Sequence, residues 1–321
     1  MKAIAQIIGT AALSIIGGAT AALLPAGSAV AATPAGNATV VYVRSGDLFS
    51  ATGATEKKIA DGNYARPRFS PDGTKLAALR DGRLWVMKAD GSGKRRLTTR
   101  AAAGASWSPD GVWLAFASQS CTGGPGVFRV DVKHGGAPQA LFPAECRTEA
   151  LPAEPEIQPA DAGTLTDRLR YDDAVAWSPD GTQVAFRGGL CESTYDACLS
   201  VGAVATGRER TVAAFGGGSL QTSGFAVVPT WRADGRKLAY TAYQEGETAA
   251  DDKPVHVVEF DPATGAKRDL GAAQDRELAY VNAATAIVTG THQGGSQLFV
   301  LDLTTGKRTA FKAGSQPTVR P

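Results

Sequence analysis

Short apolar runs of strand type recur along the chain, at Lys75-Leu76-Ala77-Ala78-Leu79, Val112-Trp113-Leu114-Ala115-Phe116, Gln183-Val184-Ala185-Phe186 and Lys237-Leu238-Ala239-Tyr240. Each follows one polar corner: Phe69-Ser70-Pro71-Asp72-Gly73, Trp107-Ser108-Pro109-Asp110-Gly111, Trp177-Ser178-Pro179-Asp180-Gly181 and the eroded Trp231-Arg232-Ala233-Asp234-Gly235. One supersecondary unit therefore repeats with its turn chemistry intact. Proline pre-sets φ for a type I turn, Asp accepts hydrogen bonds from nearby backbone N–H groups, and Gly takes the left-handed conformation that leads into the next strand. The aromatic before each corner ends a strand and is expected to pack between neighbouring units. Asp72, Asp110, Asp180 and Asp234 are expected to cap their turns; one acid per distant corner is a poor cation site.

The rest of the unit follows the same alternation. After the apolar second strand comes a third, Arg83-Leu84-Trp85-Val86-Met87-Lys88, then an Asp-Gly turn and a fourth strand at Arg95-Arg96-Leu97-Thr98. Third strands recur at Val127 to Asp131, Leu199 to Ala203, Val255 to Glu259 and Gln297 to Asp302. Four antiparallel strands make a propeller blade. A blade without the corner motif is expected over 273–311. At the front, Thr39 to Val43, Asp47 to Ser50 and Lys57 to Ala60 read as second, third and fourth strands with no first. Gln316-Pro317-Thr318-Val319 resembles the first strands of other blades, so the C-terminus is expected to close a six-bladed ring, which removes free sheet edges.

Composition agrees with one large all-β domain over 33–321: the 321 residues include 38 Gly, and the 33 basic residues nearly balance the 31 acidic ones, which gives no support for nucleic-acid binding. The opening segment differs. Lys2, the apolar run from Ile4 to Leu24 and Ala29-Val30-Ala31 read as a secretory signal peptide over 1–32; an uncleaved membrane anchor is the alternative. With the signal removed no membrane span is expected, and no cysteine or arginine pair marks a lipoprotein or twin-arginine export. Four cysteines, an even number, suit an oxidising destination, with Cys121–Cys146 and Cys191–Cys198 the expected pairs among three possible connectivities. The zinc reading lacks C-x-x-C spacing.

The corners, the Leu84-Trp85-Val86-Met87-Lys88-Ala89-Asp90-Gly91 strand and turn, and Arg96-Leu97-Thr98 resemble the TolB-type, WD-like propeller repeat. The resemblance covers nearly all of the chain after the leader and implies a binding platform, in TolB for periplasmic protein partners. No counterpart of the separate α/β domain that precedes the TolB propeller is expected here. The same repeat precedes the catalytic domain of prolyl-oligopeptidase-like hydrolases, but no G-x-S-x-G elbow occurs in this sequence. His134, His256 and His292 fall in different blades and are expected to be solvated or packed.

The loops give the two faces of the disc different character. Long connections, at 119–126, 143–173, 188–198 and 244–254, all fall where second strands join third strands and blades join one another. Both disulfides are expected on that rim. Acids crowd it: Glu145, Glu149, Glu154, Glu156, Asp161, Asp167, Asp172 and Asp173 in one insertion, Glu245, Glu247, Asp251 and Asp252 in another. A basic partner or a calcium ion is one reading of this surface, and a solvated surface loop is the other. The expected function is a secreted or envelope-associated module, a monomer, that binds protein, peptide or glycan through Tyr171, Asp172, Asp173, Tyr195, Phe225, Tyr243 and Glu245. An extracellular hydrolase or lyase with a site over the central channel is the alternative. No catalytic residue, metal ligand or resident cofactor is assigned.

Overall fold

The computed structural model describes residues 37–149, 165, 169, 173–193, 195, 197–216, 223–246 and 248–321. The expected leader lies outside them. Six four-stranded antiparallel sheets form the blades. Blade 1 holds β1 (Thr39–Arg44), β2 (Asp47–Thr52), β3 (Thr55–Ala60) and, from the far end of the chain, β24 (Ser315–Val319). Blade 2 is β4 (Tyr64–Phe69), β5 (Lys75–Arg80), β6 (Arg83–Lys88) and β7 (Arg95–Ala101). Blade 3 is β8 (Ala105–Trp107), β9 (Trp113–Gln119), β10 (Pro125–Asp131) and β11 (Gln139–Phe142). Blade 4 is β12 (Val175–Trp177), β13 (Gln183–Arg187), β14 (Ala197–Ala203) and β15 (Glu209–Phe215). Blade 5 is β16 (Ser223–Trp231), β17 (Leu238–Glu245), β18 (Lys253–Phe260) and β19 (Lys267–Leu270). Blade 6 is β20 (Arg276–Tyr280), β21 (Thr285–His292), β22 (Gly295–Asp302) and β23 (Arg308–Ala313).

The first strands of successive blades touch in the order β24, β4, β8, β12, β16, β20 and back to β24, which closes the ring. Closure is the expected one: Val319 pairs with Val40 and Thr318 with Val41. Apolar faces of adjacent blades bury each other, as Leu79, Leu84, Trp107 and Phe116 do between blades 2 and 3 and Val40, Tyr42, Ile287 and Leu298 between blades 1 and 6.

The corners do what their residues dictate. In blade 3 the Ser108 hydroxyl donates to Asp110 Oδ1 at 2.5 Å and accepts from Trp113 N–H at 2.9 Å, while Asp110 Oδ1 accepts from Val112 N–H at 3.0 Å. Blades 2 and 4 repeat the arrangement around Ser70 and Asp72 and around Ser178 and Asp180. Where Arg232 replaces the serine, its guanidinium binds Asp234 at 3.0 Å.

Side chains also tie blade to blade through groups left free on the innermost strands. The indoles of Trp107 and Trp231 donate to the carbonyls of Arg68 and Ala176 in preceding blades, at 3.0 and 3.1 Å. Ser106 accepts from Trp177 N–H and Thr318 from Phe69 N–H, at 2.9 and 3.3 Å. A buried N–H without such a partner costs roughly 1–3 kcal/mol, so these small hydroxyls matter.

Candidate functional site

The longest connections, 143–174 between blades 3 and 4 and 188–196 between β13 and β14, open on the side of the disc where second strands join third strands; the β9–β10 loop there, 120–124, is shorter than the 132–138 turn on the opposite side. Blades 1, 2 and 6 join β1 to β2, β5 to β6 and β21 to β22 through Ser45-Gly46, Asp81-Gly82 and Gln293-Gly294 alone, all at positive φ. The loop-rich face is thus elaborated over half the ring.

Both expected disulfides lie in this sector. Cys121, after β9, joins Cys146 in a short 3-10 turn (Ala144–Arg147) of the connection from blade 3 to blade 4, with Cα atoms 5.5 Å apart. Cys191 joins Cys198 across the β13–β14 loop. The insertion has an apolar anchor besides its disulfide: Leu165 and Leu169, both helical, pack with Ala174, Ala197, Phe225, Val227 and Val255 at the loop-rich end of blades 4 and 5.

The β13–β14 loop presents apolar surface. Its frame is fixed: Gly188 N–H donates to the Cys198 carbonyl at 2.9 Å, Leu190 N–H to Glu209 Oε2 at 2.7 Å, and Tyr195 N–H to the Cys191 carbonyl at 2.9 Å. Burial pushes the Glu209 carboxyl up, and the Leu190 N–H opposes the shift. On that frame Leu190 is 68% exposed and Tyr195 40% exposed, two of the three large hydrophobic side chains exposed among the described residues.

The other expected site residues divide. Tyr171 and Asp172 lie outside the described residues. Asp173 sits just ahead of β12, where its Oδ1 pairs with Arg187 Nη1 at 3.2 Å; burial raises its carboxyl, opposed by Arg187 and Arg66. Glu245 is exposed at the end of β17. Phe225 does not face a partner: it is 1% exposed and stacks on the half-buried Tyr243, its cross-strand neighbour, at 5.4 Å. The reason is that β16 begins at Ser223, earlier than the strand signal at Val228 to Trp231, and draws Phe225 into the core.

Deeper on the axis is a charged cluster with no local sequence signal. Arg66 Nη1 pairs with Glu277 Oε1 at 3.1 Å, the two side chains 1% and 6% exposed and 211 residues apart in sequence. Gln316 lies between them in the ring: its Oε1 accepts from Arg66 N–H at 2.7 Å and its N–H donates to Glu277 Oε2 at 3.0 Å. Arg66, Glu277 and Gln316 occupy matching positions of β4, β20 and β24, each with left-handed φ, +51°, +55° and +57°. Burial alone would raise the Glu277 carboxyl; Arg66, Arg276 and hydrogen bonds from Thr289 and Gln316 outweigh it and hold it below its ordinary value. A buried pair satisfied in this way braces the inner wall of the ring.

The histidines do not converge. His134 lies in the blade 3 turn against Asp131, His256 in β18 near Asp269, and His292 at the end of β21. Among the described residues no group of three His, Cys, Asp or Glu side chains is arranged to hold a metal ion, and no helix is long and apolar enough to cross a membrane.

No protein-family model and no curated protein matches the chain by sequence. Solved structures do match its fold. TolB from Acinetobacter baumannii superposes with a TM-score of 0.64 at 15% identity, over 89% of this chain and 67% of that one. The protein assigned as TolB from Agrobacterium tumefaciens gives 0.57 at 13% identity, over 87% and 91%. A chain of a nidogen/laminin complex gives 0.60 at 9% identity, over 88% and 98%. The chain is a six-bladed β-propeller with the fold seen in the TolB structures.

Proposed function

We propose that this protein is an exported β-propeller binding module that holds a protein, peptide or glycan on the sector of its loop-rich face over blades 3 to 5. The observation that carries the reading is the pair Leu190 and Tyr195, held out to solvent by a loop that a disulfide and backbone hydrogen bonds fix in place. Rigid aromatic and aliphatic anchors of this kind dominate binding energy at protein interfaces. Export is supported by the leader-like sequence over 1–32 and by two disulfides, bonds that persist in oxidising compartments. One matching propeller comes from a two-protein assembly, nidogen with laminin.

The test is capture from culture medium and cell envelope with the mature domain and with a copy that carries Leu190→Ser and Tyr195→Ser and melts like the parent. A partner held by the first and lost by the second supports the reading. Equal retention by both places binding elsewhere.

A second reading, an extracellular hydrolase or lyase, is favoured by one observation, the raised carboxyl of Asp173 beside Arg187 and Arg66. Turnover of an extracellular polymer that Asp173→Asn abolishes without lowering the melting temperature would support it; no turnover by the parent would remove it, and turnover unchanged in the variant would put the chemistry away from Asp173.

A further inference from the structure

On the short-turn face a groove of about 530 Å³ runs between blades 2 and 3. Its lining comes from the corner of blade 3, the third-to-fourth turns of both blades and the strand ends beside them. Val86, Met87 and Val132 are buried beneath it, and Val112, at 44% the third exposed large hydrophobic among the described residues, stands at its edge. Gly111 beside Val112 has open space where a side chain would be.

Around this apolar floor four basic side chains stand against one acid. Lys75, Lys88 and Lys133 are exposed on the rim, and Arg95 reaches across to the Val132 carbonyl. Asp131 is the only acid among the described lining residues, and its turn already occupies it: Oδ1 accepts from Lys133 N–H at 2.8 Å and His134 N–H at 2.7 Å and lies 3.1 Å from the His134 ring. Lys75 and Lys88 are direct cross-strand partners on β5 and β6, a like-charge pairing that disfavours the sheet. The nearby turn acids Asp72 and Asp90 cap their own turns, through Thr74 and Ser92 N–H; they form no salt bridge with Lys75 or Lys88, although these lysines act on them from farther off and lower their carboxyls. A ligand that supplies carboxylates here would relieve that repulsion.

We propose that this groove docks an acidic peptide segment of a partner protein, its carboxylates on Lys75, Lys88 and Lys133 and an apolar side chain against Val112 and Met87. The apolar floor selects a peptide over a bare polyanion, which would use the rim alone. Because the groove lies on the face opposite the Leu190–Tyr195 loop, the two surfaces can be occupied together, and the ring would then bridge two partners.

The test is fluorescence anisotropy of the mature domain with a short labelled peptide that has two central leucines flanked by glutamates. Saturable binding is expected, weakened about tenfold or more by Val112→Asp and by Lys88→Glu and unchanged by Leu190→Ser. Lys88→Glu is also expected to raise the melting temperature, because Lys75 gains an opposite charge across the strand pair. Stability and binding then move in opposite directions, which a merely structural lysine would not produce. Absence of saturable binding, indifference to Val112→Asp, or equal affinity for polyglutamate or a heparin fragment would overturn the proposal.

Discussion

Asp72 shows how one carboxylate can set a corner and its pH response. The Ser70 hydroxyl and then the Thr74 N–H and hydroxyl hydrogen-bond it, and together they lower its pKa from 3.8 to about 2. A group depressed in the folded state stabilises the fold above its ordinary pKa, and that contribution is lost as pH falls through the folded value. The melting-temperature gap between parent and Asp72→Asn is therefore expected to stay constant from neutral pH to about 4 and to close between there and about 2. A gap that widens with acid would contradict the assignment. The buried Arg66–Glu277 pair makes a larger claim. Glu277→Gln takes away the opposite charge paired with buried Arg66 and is expected to cost about 3 kcal/mol in urea unfolding, while Arg66→Gln with Glu277→Gln costs less than either single change. The turn aspartates were legible from the repeated Ser-Pro-Asp-Gly corner, because turn chemistry is local. Arg66 and Glu277 were not: their pairing is created by ring closure, and nothing in the flanking residues marks it.

Strand by strand, blade contacts rest on small residues at close approaches. Gly202 in β14 lies against the Phe142 ring of blade 3, so that a Cβ would come within 2.3 Å of it, and Phe142 in turn stacks on Phe186 at 4.9 Å. Gly202→Ala is expected to lower stability by about 2 kcal/mol, and the loss to shrink when Phe142 is also replaced by leucine. Equal losses in the two backgrounds would show that the ring is not the obstacle. Gly91, at φ +86°, plays the same part between blades 1 and 2, where an added Cβ would meet the Ile59 carbonyl at 1.9 Å. Second and third strands were readable from their alternation and turns. Strand ends were less so: β16 and β17 run beyond their strong apolar segments to Ser223 and Glu245, because cross-strand pairing continues once the neighbour is in register. That extension is what buries Phe225. Leu190 was passed over because a single leucine in a Gly-Gly-Leu-Cys loop belongs to no alternation; the disulfide-closed loop around it was the available signal.

For the whole molecule, the ring is held shut by β24, whose Gln316 and Thr318 also bond to blade 2. Deleting 315–321 is expected to abolish the cooperative thermal transition, since blade 1 loses its inner strand and the ring gains two free edges. A sharp melt within a few degrees of the parent would show that closure is dispensable. Blade number and closure were legible because the corner and third-strand patterns recur and the last strand resembles other inner strands. The role of the elaborated sector is less local: it depends on which loops neighbour one another in the ring and on which side chains packing leaves exposed. The most direct measurement is capture of a partner from culture medium and envelope by the parent domain and by Leu190→Ser with Tyr195→Ser, with both proteins first shown to melt alike. Loss of the partner from the variant is the expected result; equal capture by both would contradict binding through the loop-rich face at these residues.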